Sequence, residues 1–243
     1  YSAPFILNET KTVKAIAVKA DMANSAVAEK NFTKATVLTV AEALTAIDNG
    51  GDLTNKYVKG TISQIKEYNP TYSSIYYYIS DDGNTTNELY VYSGKGLNSA
   101  NFSAVTDLTV GDDVIICGTL KEYNGVKEFD YNNYLVYYKP VAQLSWSKST
   151  CTAEIGGINE FPTLTNTNSV AVSYSSSNTA AATINETTGE ITLVAAGETT
   201  ITATFTGNEN YKAKSASYTL TVAEAVVRGT ITYNTNGGTE VAA

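Results

Sequence analysis

Histidine is absent from this 243-residue chain. With it go the commonest general base, the commonest metal ligand and every histidine-containing catalytic triad. Cysteine is nearly absent too, with only Cys117 and Cys151. The two fall in what read as different domains, and a disulfide needs Cα atoms within about 7 Å. Both are therefore expected as free thiols in small packing roles. Four prolines and one methionine leave no room for a proline-rich segment. Basic residues are outnumbered, 16 against 24 acids, for a net charge of −8, a poor match to a polyanion or an acidic membrane surface. No apolar run approaches the roughly 18 residues of a membrane span. There is no signal-peptide pattern and the chain begins at Tyr1, so it reads as a processed or excised piece of something larger.

What is abundant is threonine, asparagine, serine and tyrosine, the composition of β-domains with solvated threonine-rich faces. The length suits two or three domains. Of the 18 tyrosines, 13 lie between Tyr57 and Tyr138. The clearest alternation in the chain sits there, in Ser74-Ile-Tyr-Tyr-Tyr-Ile-Ser80. At the strand period Ile75, Tyr77 and Ile79 share one face, and Tyr76, Tyr78 and Ser80 share the other. The turn Asp81-Asp-Gly-Asn84 leads into Leu89-Tyr-Val-Tyr92, divided in the same way. With Ile75, Tyr77, Ile79, Leu89 and Val91 inward, Tyr76, Tyr78, Tyr90 and Tyr92 stand outward together as a candidate ligand-binding patch. The competing reading is a cross-strand tyrosine ladder that serves only the sheet.

Five strand signals occur between 57 and 138, at 57–66, 74–80, 88–92, 113–121 and 127–138. Gly94-Lys-Gly96 is read as a loop after the third, and 98–107 as an irregular connection long enough for a helical turn. Glycines inside the first and fourth strands suit the coiling of a small barrel. Five strands with a connection between the third and fourth describe an OB barrel, whose second and third strands and neighbouring loops bind oligonucleotides and oligosaccharides. Just upstream, Thr39-Val-Ala-Glu42 has capping-box spacing, and Val40, Leu44 and Ile47 recur at helical period before Asn49-Gly-Gly51. One helix over 40–48 follows, packing those three residues onto the barrel.

Several strings carry family resemblances. Tyr57-Val-Lys-Gly-Thr-Ile62, Tyr77-Tyr-Ile-Ser-Asp81, Val110-Gly-Asp-Asp-Val114 and Asn133-Tyr-Leu-Val136 resemble the OB modules of secreted bacterial proteins. Ser173-Tyr-Ser-Ser-Ser-Asn178, Ala182-Thr-Ile-Asn185, Thr188-Gly-Glu-Ile-Thr192, Ala196-Gly-Glu-Thr-Thr-Ile-Thr-Ala203 and Ser217-Tyr-Thr-Leu-Thr-Val222 resemble the bacterial Ig-like group-two domain. That resemblance implies a Greek-key sandwich acting as a spacer or adhesive module, with Trp146 in its core. Tyr1-Ser-Ala-Pro-Phe5, Thr12-Val-Lys-Ala-Ile-Ala-Val18 and Asn24-Ser-Ala-Val-Ala-Glu29 resemble the second half of a fibronectin-type-III-like module found at the C-terminus of chitobiases. Thr230-Ile-Thr-Tyr-Asn-Thr-Asn-Gly-Gly-Thr239 is similar to the opening hairpin of the internalin-type β-grasp repeat.

The expected organisation is all-β and multidomain. Residues 1–36 are a partial β-sandwich of three short strands, 37–140 the OB barrel, 141–222 the Ig-like sandwich, and 223–243 a linker with the start of a β-grasp repeat. About 34 residues cannot bury a core of their own. The N-terminal strands are therefore expected to pack on the barrel or to pair with another copy of the chain.

Catalytic candidates are few. Asp81-Asp82 and Asp112-Asp113 are paired carboxylates, but neighbours on a strand point to opposite faces, and solvated turn aspartates are the expectation. Asp81-Asp-Gly-Asn84 lacks the spacing of a calcium loop. No catalytic residue, metal site or cofactor is assigned, and an enzyme is not expected. Between 57 and 139 six lysines face ten acids, which favours a polysaccharide or protein ligand over nucleic acid despite Lys59, Lys66, Lys95, Lys121 and Lys127. The expected function is display, adhesion or carbohydrate and protein binding by a secreted or cell-surface bacterial protein. The alternative is the accessory part of a secreted nuclease or glycoside hydrolase, its OB domain binding single-stranded nucleic acid or polysaccharide.

Overall fold

The computed structural model of the chain describes residues 9–225 and 229. The motifs at Tyr1–Phe5 and Thr230–Thr239 and the end of the expected linker lie outside the described residues. The chain divides into two compact units between Pro140 and Val141.

The first described strands are β1 (Lys11–Ala15) and β2 (Ala28–Phe32), an antiparallel pair with Lys11 opposite Phe32. Every residue from 9 to 37 is exposed except half-buried Val13. Two short strands are present among the described residues of this segment, the first expected strand lying outside them, and the pair does not pack on the barrel. Too few apolar residues alternate on one face to dock it: Ile16, Val18, Met22, Val27 and Phe32 are all exposed.

The barrel follows. After β3 (Val37–Leu38), helix α1 (Val40–Asn49) starts at Thr39, whose side chain accepts from the Glu42 amide at 3.1 Å while Glu42 accepts from the Thr39 amide at 2.7 Å. This is the capping box read from the sequence. The helix buries Val40, Ala43 and Ile47, with Leu44 partly buried beside them. Strand β4 (Lys56–Asn69) is long enough to serve two neighbours. Its first half pairs with β7 (Asp113–Gly118) and its second with β5 (Ser74–Ser80). It crosses closely over β5 at Gly60, where a Cβ would sit 3.1 Å from Ile79, Ser80 and Val40 atoms, so only glycine fits there without displacement.

Strand β5 pairs with β6 (Leu89–Leu97), β6 runs parallel to β10 (Tyr134–Lys139), and β10 returns antiparallel to β7. Strands β4, β5, β6, β10 and β7 thus close into a five-stranded OB barrel. Ile62, Ile75, Tyr77, Ile79, Leu89, Val91, Ile116, Phe129 and Leu135 fill it. Three expectations are corrected. The third strand runs on through Gly94-Lys-Gly96 instead of ending in a loop. The fourth stops at Gly118. The region 127–138 is two strands, because β8 (Leu120–Tyr123) and β9 (Val126–Phe129) form a hairpin that lies along β6 through β9, and a turn at 130–133 precedes β10. The connection between the third and fourth barrel strands holds a single 3₁₀ turn, Val105–Asp107.

The second unit is an Ig-like β-sandwich. Its main sheet orders β12 (Thr150–Glu154), β18 (Lys214–Ala223), β17 (Gly197–Phe205) and β14 (Ser173–Ser176), with β12 parallel to β18. The pairs β11 (Leu144–Trp146) with β13 (Leu164–Asn166) and β15 (Ala182–Ile184) with β16 (Ile191–Leu193) complete it. Trp146 is half-buried, donates its indole N–H to the Ala216 carbonyl at 2.9 Å and meets Tyr218 edge-on at 4.9 Å. Cys117 and Cys151 are both free. Burial pushes the Cys151 thiol up, so it stays protonated.

Candidate functional site

The β5–β6 register sets Tyr77 against Val91, Tyr78 against Tyr90 and Ile79 against Leu89. Tyr77, Val91, Ile79 and Leu89 are therefore fully buried inside the barrel, and the four other tyrosines line up on its outer face. Tyr78 and Tyr90 stack with ring centroids 4.7 Å apart and an interplanar angle of 35°. Past this pair the register shifts, and Ser93 takes a positive φ of 53° in a bulge. Tyr76 then meets Tyr92 edge-on at 5.2 Å.

The patch is not uniformly exposed. Tyr76 is 7% exposed, packed beneath Tyr92 with its hydroxyl 3.4 Å from the Asn69 amide. Tyr78 and Tyr90 are half-buried, and the Lys66 ammonium lies 5.6 Å from the Tyr78 ring. Burial, followed by the nearby phenols of Tyr78 and Tyr76, pushes Tyr90 up to about 12. Tyr92 alone of the four is open, at 41%. Tyr78 and Tyr90 are thus mainly a sheet ladder, while Tyr76 and Tyr92 turn toward one end of the face.

At that end is a cleft of about 320 Å³ lined by Tyr72, Tyr76, Tyr92, Ser93, Lys95, Tyr131 and Asn132. Two of its rings, Tyr72 and Tyr131, were not legible from alternation because they stand on turns. Tyr72 sits on the β4–β5 turn, where Asn69 Oδ1 accepts from the Thr71 and Tyr72 amides. Tyr131 sits on the β9–β10 turn, where Asp130 Oδ1 accepts from its amide at 2.8 Å. Both are more than 60% exposed. Ser73, Ser93 and Asn132 around the cleft all have positive φ, a conformation that non-glycine residues hold only where their surroundings impose it.

Two polar anchors fix the walls. The Lys95 ammonium donates to the Tyr72 carbonyl, to Asn101 Oδ1 at 2.8 Å and more distantly to the Ser73 carbonyl at 3.4 Å. Asn133, fully buried, donates to the carbonyls of Tyr92 and Asp130, each at 2.8 Å. Gly118 leaves room for it: a Cβ there would sit 2.7 Å from that of Asn133. Beside the cleft, Glu128 is buried opposite Tyr90. Burial raises its carboxyl, and Lys121 at 3.4 Å counteracts this. Lys121 also holds Asp130 at 2.7 Å.

The carboxylate pairs have other duties. Asp81 caps α1, accepting from the Val40 and Ala41 amides at 2.8 and 3.0 Å. Asp82 accepts from the Asn84 amide and side chain, bonds that hold its carboxyl below the usual range. Asp112 is not a solvated turn residue but fully buried, accepting from the Thr109 amide and the Tyr138 hydroxyl. Asp113 accepts from Thr61 at 2.8 Å. No group of three metal-ligating side chains occurs among the described residues, and no helix among them is long and apolar enough to cross a membrane.

No family model and no curated protein sequence matches the chain. Among solved structures, it is similar to a lipoprotein of Klebsiella pneumoniae provisionally assigned to nucleic-acid binding, with 19% identity and a TM-score of 0.29 over 42% of this chain and 92% of that one. It is also similar to a Drosophila N-cadherin fragment, with 9% identity and a TM-score of 0.30 over 78% of this chain and 64% of that one.

Proposed function

We propose that the chain is a non-enzymatic segment of a secreted or surface-borne bacterial protein, and that its barrel binds polysaccharide in the tyrosine cleft. The observation that carries this reading is the makeup of the cleft. Three exposed rings, Tyr72, Tyr92 and Tyr131, surround a concavity floored by Tyr76, and ring planes of this kind dock the apolar faces of sugars while edge hydroxyls find serine and asparagine. The engagement of Asp81, Asp82, Asp112 and Asp113 in caps and core hydrogen bonds supports binding without hydrolysis. The Ig-like sandwich then acts as a spacer that displays the barrel. The N-terminal hairpin, exposed on both faces, offers edges for strand pairing with a second copy. A role as the binding accessory of a hydrolase uses the same cleft and differs only in what it is joined to.

The test is retention of the full chain on immobilised neutral and acidic bacterial and plant polysaccharides, with an immobilised single-stranded DNA column beside them. Retention on at least one polysaccharide that free oligosaccharide reverses is the expected result. Retention on DNA alone, weakening steeply with salt as counterion release requires, would overturn the reading.

A further inference from the structure

We propose that the cleft selects glycans carrying an isolated carboxylate, a uronate or sialate residue flanked by neutral sugars, and that Lys95 is the group that recognises it. This rests on the reading of the cleft as a polysaccharide site. Among the described residues Lys95 is the one charged residue of the cleft wall, and no acid lines it. The Lys95 residue is half-buried, and its ammonium is held by neutral oxygens, those of Tyr72, Ser73 and Asn101. Among the described residues no carboxylate pairs with it, whereas Lys121, a neighbour on the same side of the barrel, is spent on Glu128 and Asp130.

A cation whose partners are all neutral dipoles keeps its full charge for an incoming anion, whereas a lysine already paired with carboxylates has much of its field cancelled. Of its three N–H groups one has only the 3.4 Å contact to Ser73. That proton is available to an incoming carboxylate, in a charge-assisted hydrogen bond. The rings on either side are placed to stack on the sugar that carries the carboxylate and on its neighbour.

The same electrostatics set the upper limit on ligand charge. Six lysines face ten acids between 57 and 139, so a strand with a phosphate at every residue would gain at Lys95 and lose along the rest of the face. One well-placed negative charge, not a dense run of them, matches a site with one open cation.

The experiment measures affinity of the full chain for hyaluronan oligosaccharides, in which uronate alternates with a neutral sugar, and for sialyllactose, in which the acid is terminal. Each is compared with its own carboxyl-reduced form, and a short thymidine strand is included. The acid form of at least one is expected to bind about tenfold more tightly than its reduced form. The pair that shows the difference tells an internal uronate from a terminal sialate. Lys95→Met should erase the difference, and Lys95→Arg should keep most of it. Equal binding of acid and reduced forms would overturn the proposal while leaving polysaccharide binding intact. Failure of both glycans to bind in either form, by a chain that the polysaccharide columns retain, would overturn the carboxylate proposal alone. Failure on the columns as well would overturn the underlying reading. Tighter binding of the thymidine strand than of either glycan would replace the proposed ligand with a polyphosphate.

Discussion

Asn133 Nδ2 donates to the backbone carbonyl of Tyr92 at 2.8 Å, tying the turn that carries Tyr131 to the strand that carries Tyr92. The same amide nitrogen reaches the Asp130 carbonyl at 2.8 Å, so one buried side chain closes the turn and docks it. Replacing Asn133 with alanine removes both of these part-buried bonds, at a cost of about 1–3 kcal/mol. Asn133→Asp should cost more, because carboxylate lone pairs would then face those carbonyls. Urea unfolding followed by the barrel's tyrosine signal checks both, and an aspartate variant as stable as the native chain would contradict the assignment.

The Tyr77 hydroxyl is buried inside the barrel with no hydrogen-bond partner, and burial alone pushes its ionisation well above the usual tyrosine value. Tyr77→Phe removes an unsatisfied polar group and keeps the ring. The barrel's stability should stay the same or rise by up to about 1 kcal/mol. A loss larger than about 1 kcal/mol in the same unfolding assay would mean that the hydroxyl has a partner.

Asp81 caps α1 across more than forty residues of sequence. Asp81→Ala should cost the barrel about 0.5–2 kcal/mol, the usual range for a lost helix cap, and should leave glycan affinity unchanged. A fall in affinity with intact stability would move Asp81 from scaffold to site.

Glu128 has its carboxyl raised by burial. For an acid the folded form then binds its proton more tightly than the unfolded chain does. Stability therefore declines as pH rises from the ordinary glutamate value through the raised one. Glu128→Gln should flatten that decline just above the ordinary glutamate range and leave stability at neutral pH equal to or above that of the native chain. A steeper decline in the variant would contradict the burial argument and assign the dominant influence to Lys121.

The inward half of the barrel was legible because it depends on period alone. Alternation separates Ile75, Tyr77 and Ile79 from Tyr76 and Tyr78, and the capping box with Val40 and Ile47 marks α1. The cleft was only half legible. Tyr92 follows from alternation, but Tyr72 and Tyr131 stand on turns, where no periodicity reports exposure. The Asp130-Tyr-Asn-Asn133 cluster is itself a turn signal that divides β9 from β10, but strand propensity on both sides of it reads through as one long strand. The burial of Tyr76 depends on the bulge at Ser93 and on Tyr92 lying over it, contacts that no single strand's pattern contains. The described N-terminal strands do not dock on the barrel for the opposite reason: the segment has strand propensity without the apolar face that docking requires.

The central claim, that exposed rings around the cleft bind polysaccharide, is tested most directly with Tyr72→Ala combined with Tyr131→Ala. Tyr76→Ala is unsuitable because Tyr76 is 7% exposed and its loss would damage the sheet. Tyr72 and Tyr131 are 62% and 61% exposed, so their removal should change stability by no more than about 0.5 kcal/mol per residue. Stacking of a nucleobase on an aromatic ring contributes roughly 1–3 kcal/mol. Sugar faces docked on two rings are expected to reach the low end of that range together, and about 1.4 kcal/mol is tenfold in affinity. Calorimetric titration of the full chain with its retained polysaccharide should show the double variant binding at least about tenfold more weakly at unchanged melting temperature. Native affinity in the double variant would contradict the account.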